Sequence, residues 1–168
     1  LFIFLSTFAS NAQRTMFGSQ NNYVAPTPPA ANVPTVVSGG GRIWMDRNLG
    51  ALQVATSVTD PLAYGDLYQW GRGTDGHQLR TSGTTSTQST TDVPVNNLFI
   101  SAGGDWRNPS NPNLWQGVNG INNPCPSGYR IPTSVEWTTE FGTWSPASHL
   151  GAINSPLKVP LAGYRSNG

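Results

Sequence analysis

The sequence predicts an α+β fold, and three observations carry that reading. Thr133-Ser134-Val135-Glu136 is a capping box, with a hydroxyl and a carboxylate placed to satisfy the first free N–H groups of a helix. Trp137, Phe141 and Trp144 follow at i, i+4 and i+7, so a helix over 134–144 has one aromatic face to bury. Short alternating runs such as Ile43–Met45 and 129–131, punctuated by glycine and proline, read as brief half-buried strands. Composition agrees with a loop-rich domain. Charged residues are 10% of the chain, against about 25% in ordinary soluble domains. Nineteen Gly and fourteen Pro stand beside six Trp, five Tyr and six Phe, and those aromatics supply a core that a disordered chain lacks.

The chain opens Leu1-Phe2-Ile3-Phe4-Leu5, runs to Phe8 and passes through small residues to Ala12. That is the apolar core and cleavage end of a secretory leader without its basic start. It is far shorter than the ~20 apolar residues that cross a bilayer. Cleavage after Ala12 would leave Gln13 at the N-terminus, with the net charge still +1 because residues 1–12 carry none. Residues 13–41 read as a tether: Pro26, Pro28, Pro29 and Pro34 stiffen it, and Ser38-Gly39-Gly40-Gly41 loosens its end. Within it Tyr23-Val24 and Val36-Val37 are apolar pairs suited either to docking on the domain or to pairing with another subunit. Residues 42–168 are long enough for one domain with its own core. A charge of +1 without a basic run argues against nucleic-acid binding.

Within the domain, Ile43–Met45 is the first strand, and Asp46-Arg47 an ion pair or turn cap more readily than a catalytic acid and anion clamp. Asp60-Pro61 starts a helix, with Tyr64, Leu67, Tyr68 and Gly71 on one stripe. Asp75 and His77 are the one pair with acid–base or metal-ligand chemistry. Only His149 is left as a further histidine, so a turn with a hydrogen-bonded imidazole is the expectation. Residues 81–91 form a Ser/Thr/Gln loop without a glycosylation sequon, and residues 97–100 a short strand or an apolar plug.

The stretch 105–117 is a long loop in which repeated Asn and Pro hold Trp106 and Trp115. Past Tyr129, Pro132 ends the strand that leads into the capped helix, which Ser145-Pro146 stops. Residues 153–162 then give a proline-bounded edge strand around Leu157 to Leu161. Pro124 and Pro126 fix extended backbone on both sides of Cys125. In an exported chain a single cysteine implies a partner outside this segment.

Several motifs occur together and in a fixed order. They are 44–51 (Trp-Met-Asp-Arg-Asn-Leu-Gly-Ala), 64–72 (Tyr-Gly-Asp-Leu-Tyr-Gln-Trp-Gly-Arg), 75–78, 122–133 (Asn-Asn-Pro-Cys-Pro-Ser-Gly-Tyr-Arg-Ile-Pro-Thr), Glu136-Trp137, 156–158 and 162–165. Over residues 42–168 this pattern resembles the Fibrobacter succinogenes major paralogous domain family of exported proteins. The resemblance implies a C-type-lectin-like fold, similar also to formylglycine-generating enzymes: two helices with small twisted antiparallel sheets and long loops. It also implies a closing strand beyond Gly168 that carries the disulfide partner of Cys125.

Function is expected to lie in binding. Indole faces stack on sugar rings and anchor interfaces, so Trp106 and Trp115, with Asp105, Asn111 and Asn113 between and beside them, are the candidate ligand-binding residues. The alternative for each tryptophan is a core plug. Asn111-Pro112-Asn113 lacks the carboxylate a calcium site wants, and no cofactor or metal is expected. The chain is therefore expected to be a non-catalytic surface module that binds a polysaccharide or a surface protein, exported to the cell surface or beyond. A structural subunit of an extracellular filament or surface layer, built by self-association, is the alternative. An enzyme of the formylglycine-generating kind is disfavoured, since those relatives depend on a cysteine pair and no nucleophile or paired-carboxylate motif is present.

Overall fold

The structure is a computed structural model that describes residues 8–9 and 33–165. It is α+β, with two short sheets and two helices. The larger sheet has the order β2-β3-β1-β6, built from β1 (Phe8–Ala9), β2 (Thr35–Val37), β3 (Ile43–Met45) and β6 (Tyr129–Arg130), all antiparallel. The hairpin β2–β3 places Val36 opposite Trp44 and turns through Ser38 to Gly41, so residues 35–37 of the expected tether are a strand of the sheet and 38–41 its turn. The rest of the leader and of the tether, 1–7, 10 to 12 and 13–32, lies outside the described residues.

The second sheet pairs β4 (Thr84–Thr85) with β5 (Phe99–Ile100) in parallel, which corrects two expectations. The sheets are not all antiparallel, and the Ser/Thr run is not wholly a loop. Phe99 and Ile100 are buried on both faces, and covering them takes a partner strand that hydropathy alone could not reveal.

Helix α1 (Ser134–Phe141) starts as its capping box requires, but it ends at Gly142, its C-cap, short of the expected 144 and before Ser145-Pro146. Glu136 N–H donates to Thr133 Oγ1 at 3.2 Å, and Thr133 N–H donates back to the Glu136 carboxylate at 2.8 Å. Arg130 adds a two-pronged bond to the same carboxylate, at 2.8 and 2.9 Å, tying β6 to the start of the helix. The aromatic stripe packs edge to face: Trp137 meets Trp44 at 5.7 Å and Trp144 at 5.8 Å. Helix α2 (His149–Asn154), capped by Ser148, packs closely because Gly151 leaves no Cβ to strike the carbonyl of Pro146.

Two expected elements do not form. The helix after Asp60 is one 3-10 turn, Pro61–Ala63, with Asp60 as its cap. Beyond it the backbone bonds outward: Asp66 N–H to Leu49 O at 2.8 Å and Leu67 N–H to Gln78 O at 2.8 Å. Gly65 (φ +66°) and Gly71 (φ +80°) take conformations that no helix interior allows. The expected strand at Leu157 to Leu161 is irregular. Ile153 is taken into α2, and Lys158 has φ +50°, which breaks the extended backbone. Leu157 and Val159 still point inward, packing with Trp44, Trp144 and Ala152.

Candidate aromatic binding face

The centre of the loop region is Arg72, whose guanidinium is fully buried. It donates to Asp75 at 2.7 Å, to the Gln69 side chain at 2.9 Å, and to the carbonyls of Leu98 at 2.8 Å and Asn96 at 2.9 Å. One side chain thus pins the chain on either side of residue 72 to the approach of β5. Burial pushes the Arg72 pKa down, and the Asp75 hydrogen bond and charge oppose that push. The Asp75 carboxyl, despite burial pushing it up, is held below its ordinary range by hydrogen bonds from His77 and Arg72.

His77 completes this network and explains why Asp75 and His77 do not make an acid–base pair. Its Nδ1 bonds the Asp75 carboxylate at 2.7 Å, while Nε2 accepts the backbone N–H of Gln69 at 3.1 Å. The ring is wholly buried, and burial, with the Arg72 and Arg165 charges, lowers its pKa to about 4 against the pull of Asp75. Both nitrogens are committed and the imidazole stays neutral. The hydrogen-bonded imidazole expected of a turn is present, with a backbone N–H as the partner of Nε2. His149 lies exposed in α2, and no group of three or more His, Cys, Asp or Glu among the described residues is placed to hold a metal.

This scaffold throws one aromatic outward. Residues 69–72 turn through an Arg72 N–H bond to Gln69 O at 3.0 Å, and Gly71 lies against Leu114, with its carbonyl held by Asn122 at 2.9 Å. Trp70 is left 52% exposed. Its ring stands edge to face on Trp115 at 4.9 Å, and its carbonyl accepts the indole N–H of Trp106 at 2.7 Å. Trp70 belongs to two hollows, one on each side. The first, about 330 Å³, is lined by Tyr68, Phe99, Trp106, the exposed Asp105 and Arg165. The second, about 340 Å³, is lined by Trp115, Gln116, Arg130, Thr133 and Ser134.

The tryptophans expected to face a ligand are core residues. Trp106 is 3% exposed and packs with Ile100 and Leu114; Trp115 is 6% exposed, packs with Leu49 and Ile131, and donates its N–H to Arg72 O at 3.2 Å. Each lines a hollow but is too deeply buried to offer a free indole face. Asn111 is spent on structure, donating to Asp92 at 3.1 Å and accepting the Asn113 N–H at 3.1 Å, and neither asparagine lines a hollow. Trp70 was hidden from sequence reasoning by its placement in an expected helix. The signal was present in the glycines at 65, 71 and 73, which deny that helix.

Charges around the hollows are largely neutralised. Arg130 is held by Glu136, whose carboxyl drops to about 2 as Arg130 and Thr133 overcome the effect of burial. Arg165 lies over the Phe99 ring at 4.6 Å and bonds Ser82. Cys125 is a free thiol, half-buried against Leu49, Trp115 and Ile131, and burial pushes its pKa upward against the charge of Arg130. Against known proteins, no family model, no curated protein and no solved structure matches this chain.

Proposed function

We propose that the chain is an exported, non-catalytic binding module of the C-type-lectin-like class that holds a glycan on the face centred on Trp70. The observation that carries this reading is the half-exposed Trp70, its ring set edge to face on buried Trp115, its backbone carbonyl held by buried Trp106, and a hollow on each side. A large apolar surface held rigidly at the protein surface costs solvation free energy unless a ligand covers it. The lining supplies what a sugar uses: a flat ring for its C–H face, and the Gln116 amide, the Thr133 and Ser134 hydroxyls and the Asp105 carboxylate for its hydroxyls. The His77 imidazole supports the non-catalytic part of the proposal, because both of its ring nitrogens are spent on hydrogen bonds.

The test is retention on insoluble polysaccharides or cell-surface material by the wild type and by Trp70→Ala. Losing a ring contact at the upper end of its usual range, about 1.5 kcal/mol, weakens binding about tenfold. Retention should fall at least that far while the melting temperature stays near the wild-type value. Undiminished retention by Trp70→Ala would overturn the assignment.

A further inference from the structure

Arg165 is the cation of the first hollow, and its partners there are neutral. It is half-buried and lies over the Phe99 ring at 4.6 Å. One terminal nitrogen donates to Ser82 Oγ at 2.8 Å and the other to the Ser82 carbonyl at 2.6 Å. A hydroxyl, a carbonyl and a ring fix the plane of the guanidinium and leave its formal charge whole. The remaining donors, Nε–H among them, take no acceptor among the described residues.

The other arginines near Trp70 are answered by carboxylates. Arg72 pairs with Asp75 at 2.7 Å, and Arg130, on the second hollow, with Glu136 at 2.8 Å. Both oxygens of Asp75 are already engaged, one by Arg72 and one by His77. Asp105 lines the first hollow from an exposed position, and among the described residues no ion pair joins it to Arg165. A guanidinium held in place with donors to spare attracts an anion that its fork can bind, and a carboxylate matches that fork. The charge count favours a carboxylate over a phosphate ester. A phosphate carries about −1.5 to −2 at neutral pH, and its second charge would enter a hollow that already holds Asp105. Trp70 and Tyr68 line the same hollow, so the carboxylate best suited to it is borne on a ring with an apolar face. Its volume of about 330 Å³ is at the lower end of small-ligand sites, which run from about 300 to 1,000 Å³.

We propose that the first hollow is an acidic-sugar subsite, in which Arg165 binds the carboxylate of a uronic acid unit whose ring lies against Trp70. The inference rests on the glycan-binding reading and names the class of glycan. The probes are polygalacturonate, alginate and hyaluronan, each beside the same polymer with its carboxyl groups reduced to alcohols, in affinity electrophoresis. The wild type should bind at least one acid form about tenfold or more tightly than its reduced counterpart, as a charge-assisted pair does. Arg165→Gln should erase that preference and keep the weaker binding to the reduced form. If this variant fails to fold, Arg165→Lys, which keeps the charge without the fork, should diminish the preference. Trp70→Ala should weaken binding to both forms alike. Equal binding of acid and reduced forms by the wild type, or an undiminished preference in the Arg165 variants, would overturn the subsite and leave the glycan reading standing. Tighter binding of dextran sulfate than of any polyuronate would overturn the uronic acid assignment. Absence of binding to every polymer, acidic or reduced, would overturn the glycan reading and the subsite with it.

Discussion

Replacing Arg72 with Met keeps most of the volume of the side chain and removes its charge and donors. The structure sets the size of the effect. Four acceptors lose the bond that Arg72 supplies: the carbonyls of Leu98 and Asn96, the Gln69 amide oxygen, which keeps its bond from Ile100 N–H, and the Asp75 carboxylate, which keeps those from His77. Breaking a buried ion pair by removing one partner costs about 3–5 kcal/mol, because the other charge is left unpaired. The whole stability of a domain this size is about 5–15 kcal/mol, so the variant should be marginal at room temperature. Urea titration followed by tryptophan fluorescence measures the difference. Arg47→Met is the comparison, since Arg47 makes a two-pronged pair with Asp46 closer to the surface and should cost about 1 kcal/mol or less. Equal losses for the two variants, or a loss below about 1 kcal/mol for Arg72→Met, would refute the account of Arg72 as the pin of the loop region.

Trp106→Ala should destabilise the domain by about 3–5 kcal/mol in the same titration, as a buried indole does, whereas Thr133→Ala should cost only about 1 kcal/mol through the lost cap. Acid should lower the stability of the protein over two pH windows. His77 is kept neutral down to about pH 4 while an unfolded histidine protonates near 6.5, so its share of stability is complete above 6.5 and lost as pH falls toward 4. The Glu136 share is complete above 4.5 and lost as pH falls toward 2, each share being at most about 3 kcal/mol. Urea midpoints measured from neutral pH to pH 4 should fall for the wild type and flatten for His77→Gln. Cys125 should react slowly with a thiol reagent in the native protein and at once in denaturant; equal rates would mean that it is not packed against Leu49 and Trp115.

The elements legible from the sequence are those fixed by neighbours a few residues away. The box of Thr133 and Glu136 specifies α1 because both partners lie within one turn, and the alternation around Trp44 and Tyr129 likewise marks β3 and β6. Misread elements depend on distant partners. Tyr64, Leu67 and Tyr68 fit a helical stripe, but Leu49 and Gln78 claim the backbone donors that a helix would use. Leu157 and Val159 alternate inward as a strand would, and yet among the described residues no strand pairs with them. The candidate face was misjudged for the same reason. A tryptophan in a long polar loop looks exposed in sequence, while Trp106 and Trp115 are drawn inward by acceptors at Trp70 and Arg72, some 36 and 43 residues away.

The most direct measurement is oxidation of tryptophan by N-bromosuccinimide, mapped by mass spectrometry, with and without a retained glycan. All six tryptophans lie among the described residues, and Trp70 alone is more than half exposed. The account predicts that Trp70 is modified first and that saturating glycan protects it. Oxidation of Trp70 at an unchanged rate in the glycan-bound protein would contradict it.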